Sequence, residues 1–188
     1  NNFLPTNQIK SINQIKEVLI EQYQKYQNYM FRIANIWKLQ GKTIIADKVL
    51  LGEITVESAI MNEPYFITNL DLILLAEFYN LPIILLSATK LKENERSFLI
   101  LNKNDSENYY FILAQPYKPD TIQGYKLFIT SKDPYINLTD VNLPIKTDIK
   151  ISQKFEIDNY LKAKIPIKLP STKKSIVKKE EEEYDEEM

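Results

Sequence analysis

The sequence predicts an α+β (α/β) fold, in which a helical N-terminal half packs on a small, mostly antiparallel sheet. Apolar residues recur at spacings of three and four over residues 9–40, which is the helical period. Between residues 83 and 130, short β-branched and aromatic runs alternate with turn-forming residues. The final stretch, STKKSIVKKEEEEYDEEM, offers little to bury. We therefore expect one globular domain over residues 1–165 and a disordered basic-then-acidic tail or linker over residues 166–188.

Residues 9–40 are predicted to form one long helix, or two helices separated by a kink. Ser11 followed by Gln14 fits a capping box, in which each side chain bonds to the backbone of the other. Gly41 occupies the position where a helix commonly ends, because glycine tolerates the left-handed backbone conformation found there.

Three shorter helices are expected next. The first lies around residues 46–50, and the second is capped by Thr55. The third covers residues 69–80, where Thr68 and Asp71 repeat the capping pattern with Asp in place of Glu. The capping pattern accounts for Asp71 without any catalytic role.

The sheet is predicted from four short segments. Ile83–Leu86 is apolar throughout and is therefore expected to be a central strand. Phe98–Leu101 and Tyr109–Leu113 flank the turn-rich hexapeptide KNDSEN, so we expect them to form a hairpin. A further strand is expected at 125–130. After Ser131 the pattern weakens, with one or two helical turns expected at 155–161.

Composition excludes several classes of site. The chain has no Cys and no His, so zinc sites, disulfide scaffolds and proteases with a His base are excluded for the chain as given. With three glycines it has no glycine-rich phosphate loop. We predict no cofactor and no metal. The absence of a long apolar run and of a signal-peptide pattern predicts an intracellular protein with no membrane partner, neither spanning a bilayer nor secreted.

The net charge of −1 conceals an uneven distribution. Seven acidic residues lie within residues 180–188, so residues 1–179 carry 24 Lys and Arg against 18 Asp and Glu, a net charge of +6. This mildly basic body is consistent with ordinary solvated surface, or with weak attraction to nucleic acid or an acidic partner. The basic run KKSIVKK at 173–179 fits a flexible linker or a nucleic-acid patch.

Two further side-chain patterns bear on function. Tyr23, Tyr26, Tyr29 and Trp37 have the aromatic character that stacks on single-stranded bases, but their helical spacing favours core packing. Metal-assisted hydrolysis requires acidic residues that converge in a cleft, and the sequence has no such signature.

The order of segments from Tyr65 to Tyr110 resembles the second half of the ovarian-tumour-type (OTU) cysteine proteases. The helix LDLILLAEFYN leads into the strand LPIILLS, and ENYYFIL follows where the family has a strand that begins with a His-aromatic pair. The helices from IKEVLIEQYQ onward correspond to those after the family's nucleophile. The Asn/Ile/Lys-rich composition resembles that of proteins from large DNA viruses.

This resemblance implies a protease-like frame without its chemistry. The family's nucleophile, in an Asp-Gly-x-x-Cys setting, would precede Asn1, and Tyr109 and Tyr110 stand where the His-aromatic pair would be. Tyrosine, with a pKa of about 10, is a poor base for generating a thiolate at neutral pH. We expect the chain to be a fragment of a larger viral protein, in host cytoplasm or virion.

The predicted function is therefore a non-catalytic protein-interaction or scaffold domain with an OTU-like frame. Its partner is expected to be a protein, either ubiquitin-like or viral, contacted through Tyr65, Asn69, Asn108 and Tyr109. One alternative is a fragment of an active OTU-like deubiquitinase with an upstream nucleophile. The other is a nucleic-acid-associated module, whose binding would be weak.

Overall fold

The computed structural model describes residues 11–62, 64–92, 95–116, 118–130, 133–139 and 146–162. The predicted tail at 166–188, including the basic run at 173–179, lies outside the described residues, as does the expected start of the first helix at residue 9.

Seven helices and a five-stranded mixed sheet make up the described part of the chain, which confirms the predicted α+β class. The helices are α1 (Ile12–Lys25), α2 (Met30–Leu39), α3 (Thr43–Leu50), α4 (Val56–Met61), α5 (Asn69–Phe78), α6 (Lys146–Ile151) and α7 (Ile157–Lys162). The strands are β1 (Ile83–Lys92), β2 (Glu95–Ile100), β3 (Asn108–Ala114), β4 (Tyr125–Phe128) and β5 (Ile136–Asn137).

The helix boundaries follow the predicted caps. The Ser11 N–H donates to Gln14 Oε1 over 2.8 Å, and the Gln14 N–H donates to Ser11 Oγ over 3.2 Å. A 3₁₀ turn at Gln27–Tyr29 separates α1 from α2, so the long segment is two helices with a kink. Gly41 has φ = 96°, the left-handed conformation that ends a helix, and Thr55 caps α4 through the Ser58 N–H.

The predicted hairpin between the second and third strands is wrong. The strand order is β2-β1-β3-β4, so β1 lies between β2 and β3, antiparallel to the first and parallel to the second. Residues 103–107 therefore belong to a connection that crosses to the other side of β1 instead of a hairpin turn. The apolar run of β1 is buried on both faces, as expected of a central strand, and the other pairs are antiparallel.

The sheet separates two apolar cores. The helix-side core contains alternate residues of β1 and β3, such as Ile83 and Ile112, packed against α1–α5 and α7. The second core lies on the opposite face, where Ile84 and Phe111 pack against Leu138 and the α6 residue Ile149. Within the described ranges, none of the helices has the length and apolar character needed to cross a membrane.

Candidate functional site

A buried lysine lies at the centre of the helix-side core. Helix α2 ends at Leu39, and the left-handed turn at Gly41 directs the chain back, so that the Lys42 side chain is fully buried. Its Nζ lies 2.6 Å from Asp71 Oδ2, and both side chains have no exposed surface. Burying one charge without the other would be prohibitively costly, so the two residues must be considered together.

Asp71 accepts five hydrogen bonds or ion-pair contacts. Its Oδ1 accepts from the hydroxyls of Tyr23, at 2.7 Å, and Tyr65, at 2.5 Å. Its Oδ2 accepts from Lys42 and from both the backbone N–H and the hydroxyl of Thr68, at 2.7 and 2.9 Å. The predicted capping role of Asp71 at the start of α5 is confirmed, and the same carboxylate also binds two tyrosines and a lysine.

Aromatic rings surround the Lys42 ammonium. Its Nζ lies 3.6 Å from the ring centroid of Tyr65, 4.7 Å from that of Trp37 and 5.7 Å from that of Phe66. The negative faces of such rings attract a cation, more strongly where water is excluded. Trp37 Nε1 also donates to Tyr23 Oη over 2.8 Å. We call Tyr23, Trp37, Lys42, Tyr65, Thr68 and Asp71 the lysine–aspartate network.

Burial changes the proton affinities in this network. Desolvation lowers the pKa of Lys42 to about 8, because it outweighs the charge and hydrogen bond of Asp71, which favour the protonated form. Desolvation also raises the pKa of Tyr23 and of Tyr65 well above the usual value, and the adjacent Asp71 carboxylate raises both further. At neutral pH the lysine is therefore a cation beside two neutral tyrosines.

The lysine–aspartate network is a structural unit. A nucleophile or general base must reach its substrate, whereas Lys42 and Asp71 have no exposed surface. The Asp71 carboxylate also accepts from Tyr23 of α1 and from three residues that lie between α2 and α5, namely Lys42, Tyr65 and Thr68. The network thus ties these elements together, and no group of three or more potential metal-ligating side chains is found among the described residues.

An open pocket of about 440 Å³ lies next to the network. Tyr65 and Phe66 line it together with residues of α3, α4 and the loop before β4. The loop is fixed to α3, because Asp120 Oδ1 accepts from the Ile44 N–H over 2.9 Å and the Asp120 N–H donates to the Gly41 carbonyl. Helices therefore line one side of the pocket, and a loop that is hydrogen-bonded to α3 and to Gly41 lines the other.

The pocket has an apolar mouth and one unpaired cation. Ile44 and Ile122 both line it, and 57% and 81% of their surface is exposed. Lys48 lines it too, is exposed, and forms no ion pair with any residue that the structure describes. Two exposed isoleucines beside an apolar cavity are typical of a surface that binds a partner. We call this site the isoleucine pocket.

The four predicted partner-binding residues do not form one surface. Asn69 lies near the carboxyl end of β3, where the Tyr125 hydroxyl donates to Asn69 Oδ1 over 3.0 Å, and the Tyr65 hydroxyl donates to Asp71, two residues further along α5. Asn108 and Tyr109 begin β3, so the length of that strand, about 20 Å, separates the two pairs. The prediction placed them on one surface because of the resemblance to the OTU frame.

The burial of these residues also differs from the prediction. Tyr109 is 4% exposed and packs in the second core, where its hydroxyl accepts from the Asn104 N–H. A partner cannot contact its ring without unfolding that core, so the expectation of a surface role for Tyr109 is corrected. Asn108 is partly buried and accepts from Asn137 Nδ2. Of the four predicted partner-binding residues, Tyr65 alone lines the isoleucine pocket.

Sequence reasoning missed Lys42, Ile44 and Ile122. A lysine just after a helix-ending glycine is typical of the surface, and a single isoleucine in a polar loop has no periodicity to mark it. By contrast, Tyr23 and Trp37 are buried as the helical spacing predicted, with Tyr26 and Tyr29 partly buried beside them.

The described part of the chain is close to electrically neutral. It contains 16 Lys and Arg against 15 Asp and Glu, a net charge of +1. Six lysines and no acidic residue lie between residues 163 and 179, outside the described residues. The basic excess that suggested nucleic-acid binding is therefore concentrated in residues 163–179 and does not come from the described residues.

Comparison of the chain with protein-family models, with curated proteins and with solved structures found no match.

Proposed function

We propose that this chain is a non-catalytic protein-interaction domain with an OTU-like frame, and that it binds its partner in the isoleucine pocket. The observation that carries the proposal is the exposure of Ile44 and Ile122 at the mouth of an apolar pocket. The proposal includes an intracellular setting in a larger viral protein.

The pocket's chemistry defines what the partner should present. Its apolar lining fits an aliphatic or aromatic side chain, and removing that side chain and the two isoleucines from water favours binding. Lys48 at the rim is an exposed cation without a partner in the described part of the chain, so an acidic residue next to the anchor would pair with it. The proposed ligand is a protein segment with an apolar anchor flanked by Asp or Glu.

The non-catalytic part of the proposal is supported by the lysine–aspartate network. Next to the pocket, Lys42 and Asp71 are fully buried ionisable side chains. The Lys42 ammonium donates to the Asp71 carboxylate, so neither group is directed into the pocket. The pocket itself is lined mostly by apolar side chains, together with the polar side chains of Asn62, Lys48 and Asp120. The Asp120 carboxylate already accepts from the backbone of α3. Such a lining suits recognition better than proton transfer.

The test is selection from a displayed peptide library, followed by titration of the selected peptides and of purified ubiquitin. We expect enriched peptides to carry an apolar anchor beside an acidic residue, and their affinity to fall about tenfold or more for Ile44→Asp and Ile122→Asp. Lys48→Glu should weaken peptides with acidic neighbours selectively. Ubiquitin is the defined protein probe, because the OTU-like frame is part of the proposal.

The matched control is Leu51→Asp. Leu51 is 58% exposed, almost the same as Ile44, and it lies just after α3 without lining the pocket. A peptide that binds Ile44→Asp, Ile122→Asp and Leu51→Asp equally well does not use the pocket. If that is true of every enriched peptide, or if none is enriched, the proposed function is wrong.

A further inference from the structure

Strand β4 forms an edge of the sheet among the described residues. It pairs with β3 on one side, and no described strand pairs with its other side. The pair β3–β4 runs without a register shift from Phe111/Phe128 to Ala114/Tyr125. An unpaired edge presents a row of backbone donors and acceptors that another strand can use.

The register identifies which backbone groups face outward. The Gln115 N–H donates to the Gly124 carbonyl, so Gly124, Lys126 and Phe128 direct their backbone groups toward β3. Tyr125 and Leu127, which alternate with them, direct theirs to the open side, and Ile129 follows directly after the strand. The free edge thus offers the N–H and carbonyl groups of every second residue.

Apolar side chains flank this edge on both faces of the sheet. Leu127 is 47% exposed on the helix side, where its register partner Ile112 packs, and Phe128 is 43% exposed on the other side. Ile129, directly after the strand, is 68% exposed. Proteins usually protect such edges with prolines, bulges or several charges. Residues 125–130 contain no proline and no bulge in their pairing, and Lys126 is their only charge.

We propose that a second copy of this chain pairs with β4, antiparallel and across a two-fold axis at Leu127. A two-fold axis makes each strand meet its own sequence in reverse, and outward-facing residues must meet outward-facing ones. An axis at Leu127 satisfies this condition, with Leu127 facing Leu127 of the partner subunit. Lys126 then lies opposite an aromatic ring, that of Phe128, and Tyr125 lies opposite Ile129.

The charge of Lys126 and the turn after Ile129 favour an axis at Leu127 over an axis at Lys126 or Phe128. An axis at Lys126 would place two lysines directly opposite each other, which destabilises a strand pair. An axis at Phe128 would extend the pairing into the turn after Ile129, where the Thr130 N–H already donates to the Asp133 carbonyl. The axis at Leu127 uses only residues 125–129, which are free of both problems.

The first test is sedimentation equilibrium of the full chain from about 10 µM to about 1 mM, because an interface made by one short strand pair is small and should associate weakly. We expect a concentration-dependent monomer–dimer equilibrium. Leu127→Lys places two like charges at the axis and should raise the dissociation constant about tenfold or more. Leu51→Lys is the control, since Leu51 is as exposed but remote in sequence from β4.

Two variants test the register itself. The chain has no cysteine, so Leu127→Cys introduces a single thiol, and the axis places two such residues about 5.5 Å apart, within disulfide reach. We expect a disulfide-linked dimer on mild oxidation, and none for Leu51→Cys. Phe128→Glu would lie opposite Lys126 of the partner subunit and should tighten the dimer at low salt only.

A chain that stays monomeric over the whole concentration range overturns the proposal. So does a dimer that is unchanged in Leu127→Lys while circular dichroism confirms that the variant is folded. A Phe128→Glu dimer with no salt dependence overturns the register. None of these outcomes bears on the isoleucine pocket, whose variants lie outside β4.

Discussion

The lysine–aspartate network and the isoleucine pocket share the side chain of Tyr65 but differ in burial and in charge. The ring of Tyr65 lines the pocket, whereas its hydroxyl donates to Asp71 inside the network. On the network side of that ring, Lys42 and Asp71 are fully buried and bind each other. On the pocket side, Ile44 and Ile122 are exposed at the mouth of an open pocket. The buried charged network therefore lies on one side of Tyr65, and the surface that we propose binds a partner lies on the other.

This difference predicts its largest effect at Lys42. Replacing Lys42 with Met leaves the Asp71 carboxylate buried without its cation, which should lower the free energy of unfolding by about 3–5 kcal/mol in urea titrations. The double variant Lys42→Met/Asp71→Asn should cost less than the sum of the two single variants, because an asparagine side chain is neutral and still accepts from the tyrosines. Additive losses would show that the two residues do not act as a pair.

A pH dependence of stability should come next in size. With a pKa of about 8 in the folded state against about 10.4 unfolded, Lys42 binds more protons in the unfolded state between these values. The free energy of unfolding should therefore rise from pH 8 to pH 10, by about 2 kcal/mol. Above pH 10 it should fall, since Tyr23 and Tyr65 ionise more readily when unfolded. Lys42→Met should abolish the rise; a rise that persists belongs to another group.

Tyr65→Phe should change the free energy of unfolding without changing peptide affinity. The variant loses the hydrogen bond to Asp71 and should lower the free energy of unfolding by about 1.5–3 kcal/mol, the range for bonds to charged groups. It keeps the ring that lines the pocket, so selected peptides should bind it about as well as the unchanged chain. Should peptide affinity and stability fall together, the pocket depends on the network and the separation fails.

The smallest effect on stability is expected at the mouth of the pocket. Ile122 is 81% exposed, so Ile122→Asp should change the free energy of unfolding by no more than about 0.5 kcal/mol while reducing peptide affinity. Thermal unfolding monitored by circular dichroism measures the first quantity and calorimetry the second. A large loss of stability would mean that Ile122 holds the loop in place instead of contacting a partner.

Local signals predicted the starts of α1, α4 and α5 and the end of α2, because their causes lie within a few residues, whereas α6 was not predicted. The capping boxes at Ser11 and Thr68, the left-handed turn at Gly41 and the cap at Thr55 are all short-range features. Strand pairing is not short-range. The turn-rich residues after β2 were consistent with a hairpin between β2 and β3. In the structure both strands pair with β1 instead, one on each side, and such an arrangement depends on packing over the whole sheet.

By itself, the sequence determined the fold class, the starts of α1, α4 and α5, the end of α2 and the central place of β1. Only the tertiary structure decided that Lys42 meets Asp71 across 29 residues, that Tyr109 is buried, and that Ile44 and Ile122 face one pocket. The physical reason is the range of the interactions. Caps and periodicity act within one or two turns of chain, whereas ion pairing and burial depend on which distant segments the fold brings together.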